Sequence, residues 1–258
     1  MSSASAIRAS VESGLAHRVP AALTLKIRQA PEVFATGIAE ADTALGGGVP
    51  RGCITGVSGS MSTGRTSFTL SALATVTQLG NACAWVDVHD TLSPESAAAT
   101  GVELSRLLWL RMSAERRAKP NDKPWSRLEQ SLRATDLLLQ TGGFAAVVLD
   151  MGEVQPEHTL RIPLATWYRF RLAAEHTRTA LIFLTQSPCA RSCAALTLRC
   201  ESSGPLPFSR SGEMPLFEGQ QYRLFHERNR NENAFSIGKK PVRRVEWNAS
   251  AVRARCKE

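Results

Sequence analysis

The chain has 258 residues, a net charge of +8 and 43% hydrophobic side chains, enough apolar material for a sizeable core and too much for a disordered polymer. No apolar run approaches the ~20 residues of a membrane span, and the Ser- and Ala-rich start, Met1 to Leu15, lacks the apolar stretch of a secretory signal, so a cytoplasmic protein is expected. The charge is uneven, −1 over residues 1–100, +4 over 101–198 and +5 over 199–258, which points to an acidic partner, nucleic acid first, beside the plainer reading of a solvated basic surface.

In chain order, Ile7, Val11 and Leu15 stand four residues apart and predict a short helix with one apolar stripe. That stripe packs on the body of the protein or docks on a partner. Pro20 and Pro31 bracket a linker, and the compact domain is expected to begin near Ala30-Pro31. A short helix then ends in Gly46-Gly47-Gly48, followed by a turn and the apolar run Cys53 to Val57. Gly59-Ser60-Met61-Ser62-Thr63-Gly64-Arg65-Thr66 comes next, with a helical run from Thr66 to Leu79 behind it. The octapeptide fits the phosphate-cradling pattern G-x-x-x-x-G-[KR]-[ST], with arginine where lysine is expected, in the strand–loop–helix setting such a loop requires.

Further on, Cys83 to Asp87 reads as a buried strand, Pro94 to Thr100 as a short helix and Leu107 to Leu110 as a strand. Residues 112–123 read as a polar loop, and Trp125 to Gln140 as an amphipathic helix carrying Leu128, Leu132, Leu137 and Leu139. Phe144 to Asp150 is an apolar strand ending in a carboxylate. A helix over Pro163 to Thr177 and a strand over Ala180 to Gln186 follow. Six-residue apolar runs alternating with helices predict parallel βαβ units and a sheet covered on both faces. Strands are expected at Ala195 to Arg199, Gln220 to Glu227 and Val242 to Trp247, with a Gly/Pro/Ser-rich loop over residues 201–219. The six cysteines read as reduced thiols, and Cys189, Cys193 and Cys200 match no zinc spacing and have no histidine beside them.

The order T-G-I-x-x-x-D-x-x-L-G-G-G-x-P-x-G from Thr36, then strand, then phosphate loop, resembles the start of the RecA-type ATPase core. Asp87-Val88-His89-Asp90-Thr91-Leu92-Ser93-Pro94 is similar to that family's D-x-E-x-x-L-x-P block. The resemblance implies a RecA-like phosphate-loop α/β core, its mostly parallel sheet flanked by helices, with antiparallel strands added toward the C-terminus. The domains expected are residues 1–30 (helix and linker), 31–200 (core) and 201–258 (strands and basic tail).

The chemistry divides into parts present and parts altered. Consecutive backbone N–H groups and a helix N-terminus hold phosphate oxygens, so Gly59, Thr63, Gly64, Arg65 and Thr66 are the expected nucleotide contacts. Thr66 and Asp150 are the expected Mg²⁺ holders. ATP with Mg²⁺ is the implied cofactor, and a loop retained for the fold alone is the alternative that Arg65 leaves open. In RecA-type enzymes a glutamate polarises the attacking water at the place where this chain has His89, with Asp90 next door. Gln186 falls where the family carries a γ-phosphate sensor leading into a long DNA-binding loop, here cut to the short stretch from Ser187 to about Ala194. Lys239, Lys240, Arg243, Arg244, Arg253 and Arg255, with Lys257 and Trp247 among them, are the candidate DNA contacts, and a solvated basic tail with Trp247 in the core is the equal alternative.

Altered catalytic positions, short loops and a basic C-terminus, together with Leu216-Phe217-Glu218-Gly219, the run Tyr222 to Phe225 and Arg228-Asn229-Arg230-Asn231, make the chain similar to the ImuA-type RecA-like proteins. That resemblance implies a non-enzymatic, nucleoid-associated adaptor of the SOS mutagenesis response, acting in translesion synthesis. RecA and translesion polymerase subunits are its implied partners, and Ile7, Val11 and Leu15 its docking stripe. The competing reading is an active ATPase or recombinase dependent on single-stranded DNA.

Overall fold

Ile54–Ser58 (β3) is a central strand in the computed structural model of the chain, which describes residues 31–112, 126–205, 219–229 and 243–250. All five of its residues are buried. It pairs in parallel with Ala180–Thr185 (β7) on one side and Leu196–Pro205 (β8) on the other. Beyond β7 lie Ala146–Asp150 (β6), Cys83–Asp87 (β4) and the edge strand Leu107–Arg111 (β5), all parallel. Beyond β8 lie Gly219–Asn229 (β9) and Arg243–Ser250 (β10), both antiparallel. The sheet order is β10-β9-β8-β3-β7-β6-β4-β5, so the expected fold class holds. Val33–Phe34 (β1) and Val49–Pro50 (β2) form a separate two-stranded ribbon ahead of it.

Both faces of the parallel part are covered, as continuous apolar strands require. Residues alternate along each strand. Trp85, Val148 and Ile182 face one cluster with Phe68, Leu73 and Val76 of the helix Arg65–Gln78 (α2). Val147 and Leu181 face the other, with Leu139 of Arg127–Thr141 (α4) and Trp167 and Phe170 of Leu164–Thr177 (α6). The remaining α-helices among the described residues are Ala39–Leu45 (α1), Pro94–Thr100 (α3) and Pro156–Leu160 (α5).

Three expectations need adjusting. Helix α4 begins at Arg127 because Ser126 and Glu129 form a reciprocal capping box. Helix α5 was not anticipated; it is one turn long, below the length at which apolar periodicity is readable. Strand β8 runs on to Pro205, into the stretch expected to be loop, because it pairs with β9 beyond the end of β3. Its second half therefore projects past the C-terminal edge of β3, where the phosphate loop begins. The described residues all belong to the unit that starts at Pro31. Ile7, Val11 and Leu15 lie outside them. No helix among the described residues is long and apolar enough to cross a membrane.

Candidate functional site

The site forms where β3, β6 and β7 end. From β3 the chain turns through residues 59–64. The N–H of Gly59 donates to the carbonyl of Thr185 at 3.1 Å, and the Thr63 hydroxyl donates to the carbonyl of Ser60 at 2.8 Å. Ser62 and Gly64 have left-handed backbones, φ 58° and 86°, and α2 starts at the next residue. This is a phosphate-loop path, ending on a fourteen-residue helix whose first N–H groups have no intrahelical acceptor. Thr66 lies on the first turn of α2 and is exposed.

Arg65 does not point out of the loop. It is buried, and its two terminal nitrogens lie 3.4 and 3.5 Å from the carbonyl oxygen of Gly152. The Nε2 of Gln186 donates to the same carbonyl at 3.2 Å. The N–H of Gly152 donates to Oδ1 of Asp150 at 2.9 Å. The space at 152 is tight, because a Cβ there would stand 3.1 Å from that carboxylate oxygen and 3.3 Å from both arginine nitrogens, and those side chains would have to give by a few tenths of an ångström. So Arg65, Asp150 and Gln186, far apart in sequence, converge on the two peptide groups that flank Gly152, and Gly152 is the hub that the sequence reading missed.

Burial sets the electrostatics. It lowers the pKa of the Arg65 guanidinium from the ordinary arginine value, against the opposing charge of Asp150. It raises Asp150 from 3.8 to about 6, with the Gly152 N–H and Arg65 pulling the other way and Asp87 adding to the rise. The fit to Mg-nucleotide is therefore partial. The backbone path and the Thr66 hydroxyl suit a phosphate and its cation, whereas Asp150 must be ionised to hold Mg²⁺ and its surroundings resist that.

Asp87 and His89 divide their roles sharply. The Asp87 carboxylate is fully buried and accepts the N–H groups of His89 at 3.2 Å, Thr91 at 2.9 Å and Leu92 at 2.9 Å, and the indole N–H of Trp109 at 3.2 Å. It ties the β4 turn to β5. His89 is exposed and lies at the end of β4, which β6 and β7 separate from β3. Asp90 is paired with Arg111 at 3.6 Å on the surface.

The short segment after Gln186 folds inward. Cys189, Ala190, Cys193 and Ala194 are all buried, between 1 and 4% exposed, around a single 3₁₀ turn, Arg191–Cys193. Burial pushes the Cys189 thiol up to about 12, so it is an inert packing group. Among the described residues no three potential ligands cluster around a metal position.

The basic C-terminal set is only partly in view. Lys239, Lys240, Arg253, Arg255 and Lys257 lie outside the described residues, and Arg243 is described only as the first backbone position of β10. Arg244 is exposed and paired with Glu246, which also meets Arg223 at 3.3 Å. Trp247 is 7% exposed in the core, its ring 4.8 Å from that of Tyr222, so it is not displayed for base stacking. The Tyr222 ring in turn lies against Gly64, a contact with no signal in the sequence.

Known proteins resemble the chain in sequence and in fold. Residues 19–160, more than half of the chain, match the family described as the RecA N-terminal domain. The RecA protein of Saccharopolyspora erythraea is 32% identical over 170 residues, covering 60% of this chain and 45% of that protein. The RecA protein of Acinetobacter baumannii is 34% identical over 123 residues, covering 47% and 32%. The chain thus spans less than half the length of these relatives. The crystal structure of the RadB recombinase superposes with a TM-score of 0.54 at 20% identity, covering 77% of this chain and 90% of that one, a likeness of fold.

Proposed function

The chain belongs to the family of the RecA N-terminal domain, and from that premise we propose that it is an accessory protein of DNA-damage-induced translesion synthesis, an ImuA-type adaptor in which ATP hydrolysis is weak or lost. In this reading it binds RecA, translesion polymerase subunits or both, beside DNA, in the cytoplasm at the nucleoid.

The observation that carries this reading is the turn between Gln186 and β8. A recombinase stretches single-stranded DNA with loops that are free to extend along it. Here Cys189, Ala190, Cys193 and Ala194 are packed against the sheet and α6, so the segment is committed to the core. The inward turn of Arg65 and the exposed His89 support the same conclusion, because neither supplies what the lysine and the glutamate supply to phosphoryl transfer. Asp87 is in place, but its acceptor capacity is taken by the turn it organises.

A binding experiment with defined partners tests the proposal. Purified RecA and purified translesion polymerase subunits are passed over the immobilised full chain and over a variant with Ile7→Ser, Val11→Ser and Leu15→Ser. Retention of at least one of them by the wild type, and its loss in the variant, is expected. Retention of neither contradicts the adaptor reading.

A further inference from the structure

A phosphate loop holds an anion only if the anion can approach the N–H groups at the start of its helix. In this chain an aromatic ring stands beside that approach. A Cβ built on Gly64 would lie 2.7 Å from Cγ, 2.8 Å from Cδ1 and 3.0 Å from Cδ2 of Tyr222. The ring therefore rests on the glycine that forms the N-terminal cap of α2.

Two further features hold it there. Trp247, opposite Tyr222 across β9 and β10, backs the ring at 4.8 Å between centroids with a tilt of 37°, a favourable aromatic arrangement. On the other side Tyr222 pairs with Ser202, and the β8–β9 ladder slips between Ser202 and Gly204. The extra residue, Ser203, has a buried hydroxyl with no hydrogen-bond partner among the described residues. Such bulges bend a strand and re-aim the side chains beside them.

We propose that Tyr222 is the residue that closes the phosphate loop against nucleoside triphosphates. Its ring rests on Gly64 in the free chain, and a triphosphate enters only when the ring leaves. The cost of unstacking the ring from Trp247 and Gly64 lowers the population open to nucleotide, and apparent affinity falls by the same fraction. The inference deepens the reading of residues 59–66 as a phosphate loop and rests on it, and is independent of which protein is the partner.

The test is a titration of the full chain with Mg²⁺ and an N-methylanthraniloyl ATP, followed by fluorescence. The wild type is compared with Tyr222→Phe, which keeps the ring, with Tyr222→Ala, and with Tyr222→Val, which keeps a strand-forming residue. Circular dichroism melts identify the folded variants. The gate predicts that Tyr222→Val and Tyr222→Ala bind at least about tenfold more tightly than the wild type, corresponding to a competent fraction of one in ten or less, and that Tyr222→Phe behaves as the wild type. Equal affinity in the wild type and Tyr222→Val overturns the gate. Tighter binding in Arg65→Lys but not in Tyr222→Val also overturns it, while leaving the phosphate-loop reading intact. Absence of binding in every variant, Arg65→Lys included, overturns both.

Discussion

The guanidinium of Arg65 lies on the carbonyl of Gly152, 3.4 Å away, and the N–H of Gly152 is bound to the carboxylate of Asp150. The phosphate loop and the end of β6 are thereby joined through one residue. The Arg65 side chain is part of the interior.

Removing either end of that link has an unequal cost. Arg65→Ala leaves Asp150 buried beside fewer positive charges and is expected to destabilise the chain by about 1–3 kcal/mol. Arg65→Ala on an Asp150→Asn background is expected to cost less. Urea unfolding of the four proteins of this cycle gives the coupling directly, and zero coupling would mean that the two groups do not interact.

Acid titration offers a second check. Asp150 has a folded pKa of about 6, above its ordinary 3.8, so between those values the folded state holds the proton that the unfolded state has released. Its contribution to stability is therefore greatest at low pH and falls as pH rises from about 4 to about 6, by on the order of 3 kcal/mol at most. The stability of Asp150→Asn relative to the wild type should rise over that window and level off above it. Urea midpoints at pH 4.5 and 7.5 measure this, and a difference that does not change with pH would refute it.

Asp87 is predicted to be a structural residue. Its carboxylate accepts three backbone N–H groups and the Trp109 indole, and Asp87→Ala leaves those donors without an acceptor at the turn. A loss of about 3 kcal/mol or more is expected, together with a changed near-ultraviolet signal from Trp109. A variant that melts as the wild type does would show that the carboxylate is dispensable.

Much of this fold was legible because its strands announce themselves. Uninterrupted runs such as Ala146–Asp150 and Ala180–Thr185 are buried on both faces, and their glycine-punctuated spacing fixes the βαβ order. Arg65 and His89 could be identified as departures because the motif around each is local. What could not be read was convergence. Gly152 gathers Arg65, Asp150 and Gln186 from three separate segments, and Tyr222 reaches Gly64 only because β8 outruns β3 and then bulges. The role of Asp87 was hidden likewise, and the sequence left Trp247 open between the core and a base-stacking face. A lone carboxylate or a lone aromatic in sequence does not reveal whether its partner is a ligand or the chain's own backbone.

The buried turn after Gln186 should resist proteolysis. Arg191 is exposed within it, but its neighbours Cys189, Ala190, Cys193 and Ala194 hold the backbone against the core, so trypsin should cut after Arg191 slowly in the folded chain. Ala190→Asp places a carboxylate in that interior and should speed the cut several-fold, as read by mass spectrometry of the fragments. Rapid cleavage at Arg191 in the wild type would show the segment to be a free loop.

In the proposed function this RecA-family chain turns ATP over weakly or not at all. The most direct measurement is steady-state phosphate release from ATP by the full chain, with and without single-stranded DNA, beside Asp150→Ala. Release near the background rate, unchanged by DNA, is expected in every case. Release stimulated by single-stranded DNA in the wild type and abolished in Asp150→Ala would contradict it.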